Sequence, residues 1–284
     1  MSLHNFFASH PVFSTEQLGA QKHDKSHWTR KGLLAHHRKQ GNILQVRRGL
    51  YAVVSHGSDP ERFPVDPYLI AAKSADDAVL AYHTALEVHG KAHSVFERFF
   101  FQSNKPLRPS AFRTYRFQCV LFPKALREKG QQQFATKIVE RAGVDIRVAT
   151  LERTLVDVLD RPELGGGWEE AWRSLETVEY FDLDLVVEYV KLLGNRTTAA
   201  KVGYYLQGHA QALMVDDRHL DPLRQLRPGQ PHYLERGKPG KLVGDWNLVV
   251  PPFLYGHPFA ESPGGIQPPS VSQGSSGAQR RHCT

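Results

Sequence analysis

Apolar positions in the first 54 residues are sparse, and their spacing predicts short helices followed by a hairpin. LHNFFAS, residues 3–9, predicts a first helix. Ser14 followed by Gln17 has the spacing of a capping box, so a second helix is expected over 15–21. After the polar run KHDKS, Asp24 or Ser26 can cap a longer helix over 27–40, HWTRKGLLAHHRKQ. That helix stops at Gly41, a residue suited to the left-handed conformation just past a helix end. Its apolar residues are few: Trp28, Leu33, Leu34 and Ala35. NILQV and LYAVV read as two strands. Arg47-Arg48-Gly49 is the turn between them, with Gly49 supplying the positive φ such turns need.

Residues 55–66 are polar and contain Pro60 and Pro64, which predicts a linker. Beyond it, PYLIAAKSA and DDAVLAYHTALEVHG predict two helices. In the second, Val79, Tyr82, Leu86 and His89 recur every three or four residues up to Gly90. VFERFFFQS and FRTYRFQCVLF are aromatic-rich and predict neighbouring strands. Residues 123–137 read as irregular, and GVDIRVA as another strand. Four helices are then expected: TLERTLVDVLD behind Thr150 as N-cap, GGGWEEAWRSLETV, DLDLVVEYVKLLG and TTAAKVGYYLQGHA. Residues 211–256 are rich in Pro and Gly but keep Tyr233, Trp246, Leu248 and Phe253, which predicts an ordered extension with little regular structure. Residues 259–284 hold too little apolar surface to offset chain entropy and are expected to be disordered. The predicted class is α+β: a winged helix-turn-helix over 1–54, the linker 55–66, a larger mixed α/β domain rich in helices over 67–258, and the tail.

The charge distribution adds a partner. Residues 1–54 hold eight basic and two acidic side chains, a net of +6, while the whole chain carries +7. Charge concentrated in so short a segment is a footprint for a polyanion, although a solvated basic face would look the same on charge alone. A hydrophobic content of 40% over 284 residues is enough for one large or two ordinary domains. No run approaches the roughly 18 to 20 apolar residues that span a bilayer. The first ten residues lack the marks of a secretory signal. Cys119 and Cys283 lie far apart, so no disulfide framework is expected and a cytoplasmic location fits.

A helix, a turn, a longer basic helix and a hairpin with a basic tip follow the plan of a winged helix-turn-helix. Such a helix brings its N-terminal half to base edges in the major groove, here Ser26, His27, Thr29, Arg30 and Lys31. Arg38 and Lys39 extend the basic side toward phosphates. Arg47, Arg48 and Gly49 form a tip for the backbone or minor groove. Tyr51 reads as support for the hairpin, with its hydroxyl available to a phosphate. The same fold also serves as a protein-binding module, but basic charge on both helix and turn favours DNA.

Other constellations read as structural. LGGGW invites a phosphate-loop reading but lacks the following Lys-Ser/Thr, so it is expected to form a turn before the helix that Trp168 opens. Glu169, Glu170, Glu176, Asp182, Asp184 and Glu188 invite a metal-dependent nuclease or nucleotidyltransferase reading. They lie mostly opposite the apolar stripes and are expected to be solvated. The pairs His23/His27 and His89/His93 lack further ligands at metal spacing. No metal, cofactor or catalytic constellation is predicted, and the chain reads as non-enzymatic.

FSTEQLGA and TRKGLLAHHRKQGNILQVRRGLYAVV resemble the N-terminal winged helix of AbiEi-type antitoxins, transcriptional regulators of type IV toxin–antitoxin systems. DPYLIAAKSADDAVLAYHTALEVHG resembles the entry to that family's second domain, and TLERTLVDVLDRPELGGGWEEAWRSLE its most recognisable segment. The resemblance covers residues 10–256, and the order RRGLY, ALEVHG, ERTLVDVLDRPELGGGWEE is its specific part. It implies a repressor that binds inverted repeats in double-stranded operator DNA upstream of its own operon, with several copies binding cooperatively. It also implies an antitoxin activity in the second domain that opposes a nucleotidyltransferase-like toxin without a stable complex. Only the DNA-contacting positions, Ser26 to Lys39 and Arg47 to Gly49, carry over residue by residue. The Pro/Gly-rich extension leaves open a stand-alone regulator without antitoxin activity.

Overall fold

The first elements of the computed structural model, which describes residues 3–21, 27–235 and 237–255, form a small unit of helices on one sheet. They are α1 (Leu3–Ser9), β1 (Val12–Ser14), α2 (Thr15–Gln21), α3 (His27–Lys39), β2 (Ile43–Arg47) and β3 (Leu50–Val53). The strands make an antiparallel sheet in the order β1-β3-β2. The capping box at α2 is present: Gln17 N donates to Ser14 Oγ at 3.2 Å, and Ser14 N to Gln17 Oε1 at 2.9 Å. α3 ends at Gly41 with φ +73°, where Gly41 N and Asn42 N donate to the carbonyls of Arg38 and His37. Phe6, Phe13, Leu18, Leu34, Ile43 and Tyr51 form the core between helices and sheet. β1 was not expected, because three residues are too few to show alternation. Asp24 and Ser26, the expected caps of α3, lie outside the described residues.

The second part begins with α4 (Pro67–Ala72), β4 (Val79–Leu80), α5 (His83–Val88), β5 (Arg98–Ser103), β6 (Ser110–Phe112) and β7 (Tyr115–Leu121). It continues with α6 (Lys124–Glu128), β8 (Thr136–Arg141) and β9 (Val144–Ala149). These strands build one mixed sheet in the order β6-β7-β5-β4-β9-β8, with β5–β7 and β4–β9 parallel. Along β5, Phe99 and Phe101 face a core shared with α4, and Phe100 faces a helical layer. That layer holds α7 (Leu151–Asp160), α8 (Trp168–Glu176), α9 (Leu183–Leu193) and α10 (Arg196–Gly208). Thr150 caps α7, as its side chain predicts, accepting from Arg153 N at 3.5 Å. The architecture is α+β.

Three expectations are corrected. The segment 76–90 is not one helix: Val79–Leu80 is a strand between β5 and β9, and Tyr82 takes φ 56°, so the helix starts only at His83. A short strand buried on both faces shows the same continuous apolar run as a buried helix. Residues 123–137 contain α6 and the start of β8. The first is too short for a helical period, and the second is an edge strand with Lys137, Ile138 and Glu140 exposed. The extension is more regular than expected. It contains α11 (Ala210–Leu213), α12 (Asp217–Leu226), β10 (His232–Tyr233), β11 (Lys241–Val243), β12 (Leu248–Val250) and α13 (Pro252–Tyr255). Asp216 and His219 form a capping box at α12 in which a histidine replaces the usual Glu or Gln. Trp246, Leu248, Val250 and Leu254 enter the helical core.

Packing continues across residues 55–66. Val65 is buried, and Asp66 caps α4 by accepting from Tyr68 N at 2.9 Å and Leu69 N at 3.4 Å. Val12, Val46, Leu50 and Ala52 share one apolar cluster with Val65, Leu69, Phe99 and Phe101. Arg113 donates to the carbonyls of Phe63 and Pro60. No helix among the described residues is long and apolar enough to cross a membrane. The predicted tail, 259–284, lies outside the described residues.

Candidate nucleic-acid interface

α3 presents a basic outer face because its apolar residues are confined to one narrow stripe. Leu34 is buried, Leu33 half-buried, and Lys31, Ala35, Arg38 and Lys39 are exposed. Lys31, Ala35 and Arg38 recur at intervals of four and three, so they fall on one side of the helix. His36 and His37 add to the basic last turn, where cations also meet the negative end of the helix dipole. His27 and Thr29 lie in the first turn of α3, but only their backbone is described, and Ser26 falls outside the described residues.

Arg30 is turned inward. A Cβ built on Gly19 would lie 2.2 Å from Arg30 Nη1, so the guanidinium rests on the bare backbone of α2. Its Nε is buried and has no hydrogen-bond partner among the described residues. The residue expected at base edges therefore packs α2 against α3, and the glycine at 19 makes room for it.

The hairpin is held at both sides of its turn. Gly49 has φ +81°, and its carbonyl accepts from Thr15 N at 2.9 Å and from Thr15 Oγ1 at 3.2 Å. This fastens the turn to the first residue of α2. Register shifts between Gln45 and Arg47, and such a bulge re-aims the following side chain. Arg47 consequently does not project from the tip: its Nη2 donates to the Ser74 carbonyl at 2.5 Å. Arg48 is exposed. Tyr51 is buried and stacked on Phe13 at 5.7 Å, supporting the hairpin as expected. Of the predicted contact residues with described side chains, Lys31, Arg38, Lys39 and Arg48 are thus exposed, while Arg30, Arg47 and Tyr51 are engaged within the protein.

No known protein-family profile matches the chain, and no curated protein matches it by sequence. Among solved structures, the chain is similar to the RV2827C protein from Mycobacterium tuberculosis, with a TM-score of 0.50 and 14% identity over 87% of this chain and 89% of that one. The likeness is one of fold.

The second part holds buried charge that sequence reasoning placed in solvent. Glu170 is buried, and its Oε1 accepts from Ser94 N at 2.8 Å and Ser174 Oγ at 3.2 Å and contacts His83 Nε2 at 3.1 Å. Burial alone would raise its carboxyl, but the hydrogen bonds from Ser94 and His83 outweigh it and hold the pKa below the usual value. His83 is fully buried, with Glu87 at 3.4 Å on its other nitrogen. Deeper still, Arg153 donates to Gln102 Oε1 and to the carbonyls of Gln132 and Phe134, and Tyr189 donates to Asp157 Oδ1 at 2.7 Å. Burial pushes the Asp157 carboxyl up to about 6, against the attraction of Arg153.

The remaining carboxylates diverge. Glu169 pairs with Arg173 at 2.7 Å, Asp182 caps α9, and Glu176, Asp184 and Glu188 are exposed. Among the described residues no group of three or more His, Cys, Asp or Glu is placed to hold a metal ion. α5 stops at Val88, so His89 and His93 do not share a helix face; His89 Nε2 lies 2.7 Å from the Ala149 carbonyl. Two glycines of LGGGW, Gly165 and Gly166, serve close packing: a Cβ at Gly166 would lie 2.6 Å from both the Phe96 ring and the Glu170 side chain.

Proposed function

We propose that residues 1–54 are a winged helix-turn-helix and that the chain is a DNA-binding transcriptional repressor of the AbiEi type. The observation that carries this reading is the exposed basic stripe of α3, Lys31 with Arg38 and Lys39, beside Arg48 on a turn fastened to α2. α2 then crosses the DNA backbone, α3 enters the major groove, and the β2–β3 hairpin is the wing. Arg48 and Lys39 contact phosphates. Base reading falls to the first turn of α3, where His27 and Thr29 stand.

Electrophoretic mobility shift with the chain's own upstream DNA tests the reading. Four exposed cations predict a slope of log K against log salt of about −3 to −4. Absence of binding, or binding indifferent to salt, would sink it. Inverted repeats are expected in the protected DNA, filled cooperatively by several copies. The antitoxin role is a separate proposal, carried by the sequence resemblance, and belongs to the second part of the chain and to the cytoplasm. Co-expression with a neighbouring nucleotidyltransferase-like toxin should restore growth; growth arrest despite normal operator binding would leave a stand-alone regulator.

A further inference from the structure

A recess of about 490 Å³ opens where the starts of β5 and β7 meet the glycine turn before α8. Arg98 and Arg116 line it together with Phe96, Thr114, Gly166 and Gly167. The two arginines are register partners on neighbouring parallel strands, so their side chains rise from the same face of the sheet, on backbones about 4.8 Å apart. Like charges directly opposite each other are unfavourable unless something anionic lies between them.

No carboxylate among the described residues is paired with either arginine. Neither guanidinium has an ion pair, hydrogen bond or ring partner among the described residues. Glu97 and Glu163 also line the recess, but Glu163 is bound to Arg161 at 3.1 Å and Glu97 forms no ion pair with either arginine. Elsewhere arginines find carboxylates: Arg141 with Asp66 at 2.6 Å, Arg173 with Glu169 at 2.7 Å and Arg224 with Asp221 at 2.7 Å. One wall of the recess is closely packed. The Phe96 ring is stacked on buried His83 at 4.1 Å and backed by Gly166, and Gly166 and Gly167, at φ +90° and +96°, bring bare backbone to the opening.

We infer that this recess binds a small phosphorylated ligand, with its phosphate held by Arg98 and Arg116 and its body against Phe96 and the glycine turn. Planar guanidinium forks match phosphate oxygens bidentately, and the Thr114 hydroxyl adds a donor. The volume is that of a small-molecule site. The recess uses none of the elements assigned to DNA.

Isothermal titration of the full chain with inorganic pyrophosphate at low salt is the test. Saturable binding at one per chain is expected, weakened at least about tenfold in Arg98→Ala/Arg116→Ala and unchanged in Lys39→Ala/Arg48→Ala. All four positions are exposed, and a melting curve for each variant checks the fold. No binding up to millimolar pyrophosphate would overturn the inference. So would binding lost in Lys39→Ala/Arg48→Ala but kept in the other variant, which would put the anion on α3. Mobility shift with operator DNA separates the two readings: Arg98→Ala/Arg116→Ala should bind DNA like the unmodified chain. A loss of DNA affinity there would reassign both arginines to nucleic acid, while failure of all DNA binding leaves the pyrophosphate result standing.

Discussion

Arg47 reaches from the β2–β3 hairpin to the Ser74 carbonyl just past α4, so the turn that carries the most basic pair of the N-terminal unit is bonded to the second part of the chain. Its neighbour Arg48 makes no such contact and is exposed. Two adjacent arginines therefore have different tasks, one fixing the hairpin and one facing outward.

Arg48→Ala should weaken operator binding and reduce the salt slope by about one, the signature of one lost phosphate contact. Arg47→Ala should leave that slope in place and instead lower stability by about 1–2 kcal/mol, since a half-buried charged donor and a carbonyl lose each other. Hydrogen exchange would rise around residues 71–74. Equal slope changes in the two variants would place Arg47 on DNA after all.

Glu170→Ala should destabilise the protein by about 2–4 kcal/mol, because Ser94 N, Ser174 Oγ and His83 lose a common acceptor in a buried setting. Urea denaturation measures this. Glu169→Ala, one residue earlier on the exposed side, should change stability by less than about 0.5 kcal/mol. Similar values for both would return Glu170 to the solvated group.

Gly203→Ala should cost about 1–3 kcal/mol even though alanine favours helices, because the new Cβ would lie 2.1 Å from the Trp246 ring. Pairing it with Trp246→Leu should recover part of the loss. Additive losses in thermal melts would show that the two residues do not share that space.

Asp157 gives a pH dependence of definite sign. Its folded pKa of about 6 lies above the ordinary 3.8, so between these values the folded state holds more protons than the unfolded chain. Its contribution to stability is greatest at low pH and is lost as pH rises through about 6, by up to about 3 kcal/mol. Asp157→Asn should remove that fall, so the difference in stability between the two proteins should shift in favour of the variant from pH 4 to pH 7. A difference that stays constant with pH would mean Asp157 is ionised throughout.

What the amino-acid order revealed was what neighbouring residues decide. The Ser14–Gln17 box, the stop at Gly41, the Gly49 turn and the Thr150 cap each depend on groups a few positions apart, and each is present. α7 to α10 were legible because each carries an apolar stripe over more than two turns. β4, α6 and β8 are too short, or too completely buried or exposed, for a period to emerge. At the candidate interface, the exposure of Lys39 and Arg48 was legible, but the direction of Arg47 depends on a bulge and on an acceptor 27 positions away. The burial of Glu170 depends on Ser94 and His83, 76 and 87 positions earlier, and its place at the edge of the α8 stripe gave no sign of them.

Trp246, Leu248, Val250 and Leu254 complete the core that α7 to α10 begin. On the ribosome, synthesis runs from the N-terminus, so the helical layer must wait for a stretch made some forty residues after α10 before its interior is closed. Until then the face of α10 around Gly203 lacks its indole cover and is exposed to chaperones and proteases. The N-terminal unit carries its own small core and emerges first. Nascent chains halted before residue 246 should therefore hold a folded α1–β3 unit ahead of an incompletely closed helical layer, and limited proteolysis of such chains would cut in α7 to α10 first.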